Sequence, residues 1–368
     1  SHKVRVAGDV MVINNENAKR HQMAAAARIP AERERLEAAL GRAPSDAELA
    51  DSLNYKAEDM PAILEAAKHI YDGGGLRIYD ISDPANPRET AFFKTHGNGV
   101  HRFDFDGRYA YISTRMEGYV NNIVVIVDLE DPSNPQEVSR WWLPGQWTAG
   151  GEEPYWGKLR FECHHPLRFG DRLYVSYHAA GMVILDVSDI TKPTMISHHN
   201  YHPPFRSSTH TYARMPHPLG GKDVAVVVDE QPGRPRPGHI PAFMWVFDVT
   251  DETEPKPLST FSMCEEDTPY RQGDLRYGVA RFGAHQCVER MRDSLVYLTW
   301  FRGGLRIVDL ADPSIPVEVG YYIPAPAPGA ATVQSNDVYM DDNGIIFLMD
   351  RFVGLDILEY TGPAGVKG

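Results

Sequence analysis

Several things are scarce in this sequence, and each shortage excludes something. Only three cysteines occur in 368 residues, Cys163, Cys264 and Cys287, at spacings that make neither a CxxC metal knuckle nor a disulfide framework. A reducing, cytoplasmic setting is therefore expected. No run of eighteen apolar residues and no basic-then-apolar opening is present, so neither a membrane span nor a signal peptide is expected in this stretch. Positive charge is short as well: 37 Lys and Arg against 50 Asp and Glu leave a formal net charge of −13. Nucleic acid needs a basic stripe, and it is excluded as the main partner. There is no GxSxG elbow, no phosphate-cradling P-loop, no GxGxxG at a strand-to-helix junction and no HExxH. The familiar hydrolase, nucleotide and dinucleotide chemistries lose support with them.

What the chain has in quantity is 15 His, 31 Gly and 28 Pro, which means many tight turns and the material for a histidine-built site. A repeat organises it. Gly75-Leu76-Arg77-Ile78-Tyr79-Asp80 returns as Ile123-Val124-Val125-Ile126-Val127-Asp128 and as Gly181-Met182-Val183-Ile184-Leu185-Asp186. It returns again as Met244-Trp245-Val246-Phe247-Asp248, as Leu305-Arg306-Ile307-Val308-Asp309, and in truncated form as Gly354-Leu355-Asp356-Ile357-Leu358-Glu359. Each copy is a β-branched and aliphatic run that ends on an acid and an Asp-Pro-type turn. Upstream lie two more candidate strands, such as those flanking Asp106-Gly107, a strong hairpin dipeptide. Four strands per unit result, and the acids recur about every 50 to 60 residues, the length of a propeller blade. The recurring acids read as acceptors for the N–H groups of their own turns rather than as a metal site.

These copies, with Leu305-Arg306-Ile307-Val308-Asp309-Leu310 nearest the namesake, resemble the LVIVD-repeat β-propeller family. The resemblance covers nearly the whole chain outside residues 16–72. It implies an all-β propeller of six blades, with seven as the alternative because the last blade looks short of an outer strand. Residues 1–15 supply the first strands of blade one, residues 16–72 a helical insertion between its strands two and three, and residues 73–368 the remainder. Within the insertion, Ser45-Asp46-Ala47-Glu48 has the capping-box arrangement, followed by an apolar side of Ala47, Leu49 and Leu53. The insertion leaves from the rim where inner strands begin, so it is expected to be a lid or a homo-oligomer contact.

Aligned on their inner strands, the units place a polar residue just before each alternating run: His101, His165, His210, His285 and, last, Asn336. His2 matches less securely. Inner strands surround the axis of a propeller, so His101, His165, His210 and His285 are expected to converge on one transition metal, with His164 competing with His165 through a one-residue register shift. Four imidazoles and few carboxylates suit Fe, Zn, Cu, Ni or Co over oxygen-seeking Mg or Ca, and the geometry alone does not choose among them; Fe(II) is the ion expected, with Zn, Mn or Cu as alternatives. His178, His198, His199, His202, His217 and His239 read as loop residues. Glu162, Asp229 and Glu289 are candidate carboxylate partners of the ligating rings. His96 is a candidate proton shuttle, and Arg115 or Arg302 would orient a substrate anion. Loop aromatics, among them Trp147, Trp156, Tyr177 and Trp300, are expected to wall a pocket.

An all-histidine centre in a propeller is similar in architecture to that of carotenoid-cleaving oxygenases, whose ferrous iron is held by four histidines, and to that of manganese-containing pectate-fragment lyases. Their sequence motifs are absent, so no roles carry over. The expectation is a metal-dependent enzyme, foremost a non-haem iron oxygenase acting on a small aromatic or unsaturated, anionic molecule. The alternatives are a redox-neutral lyase or decarboxylase and a non-catalytic binding propeller.

Overall fold

A computed structural model describes residues 4–15, 32–53, 60, 74–202, 205, 208–231, 240–263, 281–330 and 332–367. His2, His239 and Cys264 lie outside these residues. Six antiparallel sheets follow one another along the chain, four of four strands and two of three. They are the six blades of a propeller. Blade one joins Val4–Ala7 and Val10–Asn15 to Gly75–Asp80 and Arg88–Lys94. The inner strands of the next three blades are His96–Phe105, Cys163–Phe169 and Ser208–Arg214, and that of blade six is Ser335–Met340. In blade five the inner position is held by an irregular segment with isolated bridges from Phe282 to Phe301 and from Cys287 to Leu298.

Blades pack face to face, which explains why the middle strands are apolar without interruption. All of Ile123–Val127 is buried, and Val124 and Ile126 pack with Leu173, Val175 and Val183 of the following blade. A strand covered on both faces reads as a continuous run rather than an alternation. Each such Val or Ile contributes roughly 1.5–3 kcal/mol by its burial.

The recurring acids close the far ends of the third strands. Asp80, Asp128, Asp186, Asp248 and Asp309 each accept the backbone N–H two residues on, at 3.0, 2.8, 2.8, 3.0 and 2.9 Å. Four also take a basic side chain: Arg88, Arg108, Arg172 and Lys222 reach Asp80, Asp128, Asp186 and Asp248. These hydrogen bonds hold the Asp80 and Asp248 carboxyls down at about 2, the Ser82 backbone N–H leading at Asp80 and the Lys222 ammonium at Asp248.

The insertion contains a helix over 32–40 and another, Asp46–Leu53. Ser45 and Glu48 cap the second reciprocally: the Ser45 N–H donates to Glu48 Oε2 at 2.8 Å, and the Glu48 N–H to Ser45 Oγ at 3.3 Å. Its buried side is Leu49, Ala50 and Leu53. Ala47 is exposed, because the face that continues from Leu49 to Leu53 passes through residue 50, not 47. Where the chain returns to blade one, Gly74 lies against Gly99 so closely that a Cβ on Gly74 would stand 2.0 Å from the Gly99 Cα. Only glycine permits that backbone approach.

Candidate metal centre

The inner strands share an irregularity that a strict two-residue alternation does not anticipate. In blade three Cys163 pairs with Tyr177 and His165 with Ser176, leaving His164 as an extra residue without a ladder partner. In blade four Thr209 pairs with Asp229 and Thr211 with Val228, and His210 is the extra residue. Blade six does the same at Asn336, between Ser335 and Asp337. In blade two His101 and Arg102 together face Ser113. In blade five the His285 N–H donates to the Thr299 carbonyl while the Thr299 N–H donates to Gln286. A bulge re-aims its residue and leaves that residue's backbone groups without a ladder partner. Here it recurs blade after blade at one level.

The bulges bring the rings into an arc. Centroids lie 4.8 Å apart for His101 and His164, 4.0 Å for His164 and His210, and 4.2 Å for His210 and His285. The unladdered carbonyls anchor these rings from blade to blade. His164 Nδ1 lies 2.6 Å from the His210 carbonyl, which also takes the Ser176 hydroxyl at 2.6 Å. His285 Nδ1 bonds the Asn336 carbonyl in the same way. His210 Nδ1 stands 2.9 Å from Thr211 Oγ1, which itself donates to Gln286 Oε1 at 2.8 Å and so must accept from the ring. In all three rings the proton is thereby placed on Nδ1, and the lone pair is on Nε2, the state in which a histidine binds a metal.

Burial reinforces the choice. It holds His164, His178 and His210 well below the ordinary histidine value, and His285 down at about 4, where the nearby Glu230 only partly offsets it. The rings are neutral at pH 7. Two groups could each hold an ion: His101, His164 and His178, and His210, Glu230 and His285, with ligand atoms inside each group within 4.8 Å of one another. Glu230 takes Arg281 Nη1 at 2.7 Å. Burial pushes its carboxyl up, and His285, Arg281 and His101 more than offset that and hold it below the usual range.

Of the four expected ligands, His101, His210 and His285 stand in this arc, and His164 occupies the place expected for His165. The His165 ring centroid is 6.2 Å from that of His164, and its Nε2 lies 3.4 Å from Glu289 Oε1. It belongs to the next level of the channel, where Arg290 pairs with Asp104 at 2.5 Å, Arg102 with Asp337 at 3.1 Å, and Arg5 with Glu289. Gln286 ties the levels together, donating to Glu289 Oε1 at 3.1 Å while accepting from Thr211. Glu289 thus reaches His210 through two side chains. Glu162 instead pairs with Arg160 at 2.7 Å, and its carbonyl takes the His178 N–H. Asp229 is buried beneath Tyr201 and Trp245, which donate at 2.7 and 3.2 Å, and burial pushes its carboxyl up to about 7.

His178 and Glu230 were not singled out by the sequence. His178, expected in a loop with ordinary turn bonding, sits in a short 3-10 turn, 2% exposed, its centroid 4.6 Å from that of His164. Neither of its ring nitrogens has a hydrogen-bond partner. His178 follows the second strand of blade three and Glu230 ends that of blade four, each one residue beyond the partner of the residue before the bulge; the two side chains differ, so recurrence of a residue type could not find them. The remaining expectations are placed elsewhere. His96 is exposed, 3.5 Å from Glu117, and opposite Arg115 at the strand ends. Arg302 is buried over Phe282. Arg351, exposed just past the second strand of blade six, is the rim arginine that feels Arg281, Glu230 and Arg102. Of the expected aromatic wall, Trp300 and Tyr177 are fully buried in the core and Trp156 stacks on Phe161 at 5.0 Å, whereas Trp147 is exposed.

LVIVD repeats are found at residues 69–95, 105–141, 169–200 and 295–323. The chain is a six-bladed propeller built on LVIVD repeats. Solved structures similar to this LVIVD propeller include a protein of Lactobacillus plantarum, 10% identical over 81% of this chain and 80% of that one, with a TM-score of 0.53. A periplasmic gluconolactonase of Pseudomonas aeruginosa is 14% identical over 77% and 73% of the two chains, with a TM-score of 0.50. At such identities the likeness is one of fold. No curated protein matches the LVIVD propeller in sequence. Among the described residues no helix is long and apolar enough to cross a membrane.

Proposed function

We propose that this propeller is a transition-metal-dependent enzyme, and that its reaction is that of a non-haem Fe(II) oxygenase acting on a small anionic, aromatic or unsaturated compound. The observation that carries the reading is the group of His210, Glu230 and His285, with both imidazoles presenting Nε2 beside one carboxylate. Two histidines and a carboxylate are the donor set that holds ferrous iron on one face and leaves positions open for dioxygen and substrate. Bound there, the ion would supply the one-electron and dioxygen chemistry that side chains lack.

The chain's own residues do the rest. Thr211 and the Asn336 carbonyl keep the two rings in one tautomer. Arg281 keeps Glu230 ionised by direct contact. Arg351, more than Arg115 or Arg302, is placed to hold a carboxylate near the imidazoles, since it already feels the charges of Glu230, Arg281 and Arg102. Asn336 Oδ1, buried and without a hydrogen-bond partner, can accept a substrate hydroxyl at the same level.

The test is elemental analysis of the purified chain, then oxygen uptake by the iron-loaded protein with a panel of small aromatic and unsaturated carboxylates. Bound iron and substrate-dependent oxygen consumption are expected. A protein that retains no transition metal overturns the enzyme reading. Turnover at the same rate under strict anaerobiosis replaces the oxygenase with the redox-neutral lyase or decarboxylase.

A further inference from the structure

More donors gather at the inner-strand starts than one ion of the kind proposed above requires. His101, His164 and His178 remain after His210, Glu230 and His285 are assigned, and their ligand atoms also lie within 4.8 Å of one another. We infer that these three imidazoles hold a second late first-row divalent ion, of the zinc type, beside the first, so that the centre is dinuclear. The inference rests on the reading that the first group binds an ion.

His178 is the strongest witness. A buried polar group left unbonded forfeits its hydration without recompense, and this ring has two such nitrogens at 2% exposure. A metal ion would take one of them. His164 faces the same space with its Nδ1 committed to the His210 carbonyl, which leaves its Nε2 lone pair as the available donor. Three histidines with an open fourth position are a zinc donor set, and the lack of any carboxylate in the group disfavours calcium or magnesium. Glu230 Oε1 lies 3.8 Å from His285 Nε2 of the first group. The contact of His164 with His210, 4.0 Å between centroids, sets the groups side by side. Paired ions in hydrolytic and redox centres stand about 3.5–4 Å apart.

The experiment strips the full chain with a chelator, titrates it with Co2+ followed by visible absorption, and counts the equivalents retained after gel filtration. Two equivalents are expected in the wild type, one in His178→Ala and one in His285→Ala, each variant's fold being checked by circular dichroism. His164→Gln serves if His178→Ala does not fold, and the wild-type count stands without any variant. Saturation at one equivalent overturns the second site and leaves the first-ion reading in place. Two equivalents that persist in both His178→Ala and His164→Gln also overturn it, since the second ion would then be held elsewhere. No retained cobalt overturns the reading on which the inference rests.

Discussion

The two rims of the propeller carry equally regular polar residues and use them in opposite ways. At the far rim, five aspartates each meet the N–H of their own turn, and four of them a basic side chain as well. At the near rim, bulged histidines spend only Nδ1 on the protein and turn Nε2 to a common space. Recurrence therefore does not distinguish a site from a structural device. What distinguishes them is whether the chain itself uses up the polar atoms that recur. Turn geometry saturates a carboxylate locally, whereas a bulge leaves a carbonyl for the preceding blade's ring and a lone pair for something the chain does not contain.

Breaking the near rim should cost metal and leave the fold. His210→Ala is expected to lower metal affinity by more than about 100-fold, beyond the 10–100-fold typical of outer partners, with an unchanged far-ultraviolet spectrum; retained metal would dissolve the contrast between the rims. Thr211→Val removes only the partner of His210 Nδ1 and is expected to weaken metal binding by about 10–100-fold, measured by competition with a chromophoric chelator.

Acid should separate the rims in the metal-free protein. His285 stands at about 4 when folded against 6.5 otherwise, so the unfolded chain takes up protons first and stability falls as pH drops through that window. Asp80 and Asp248 stand at about 2 against 3.8, so their contribution is intact above about pH 4 and lost between there and about pH 2. Denaturant midpoints followed from pH 7 downward are expected to decline in two stages, the first suppressed by bound metal. A single decline below pH 4 would mean that the near rim does not titrate. The smallest effect belongs to Asp248→Ala, which should cost about 1 kcal/mol, read as a lower urea midpoint with metal content unchanged.

Much of this was legible in the sequence because it is local. The marker acids and Asp-Pro turns gave the blades, and Ser45 with Glu48 gave the helix start. The ligand register was not legible. His164 and His165 are neighbours on one strand, and period-two alternation assigns the axis to whichever aligns with Leu167. The bulge at His164 breaks that alternation, and it depends on pairing with a strand and a blade that no short window of sequence contains. His178 and Glu230 were not legible for the converse reason: they share one register position in blades three and four but differ in residue type, so no recurring side chain marks it. Strand order gives a rim position but not the direction of a side chain, and Arg302 turns inward onto Phe282.

Hanging a ring on the following blade's carbonyl makes the blades poor interchangeable modules. His164 depends on blade four and His285 on blade six, so excising or swapping one repeat would disarm the histidine of the repeat before it. A protein assembled by duplication has, at this level, become indivisible.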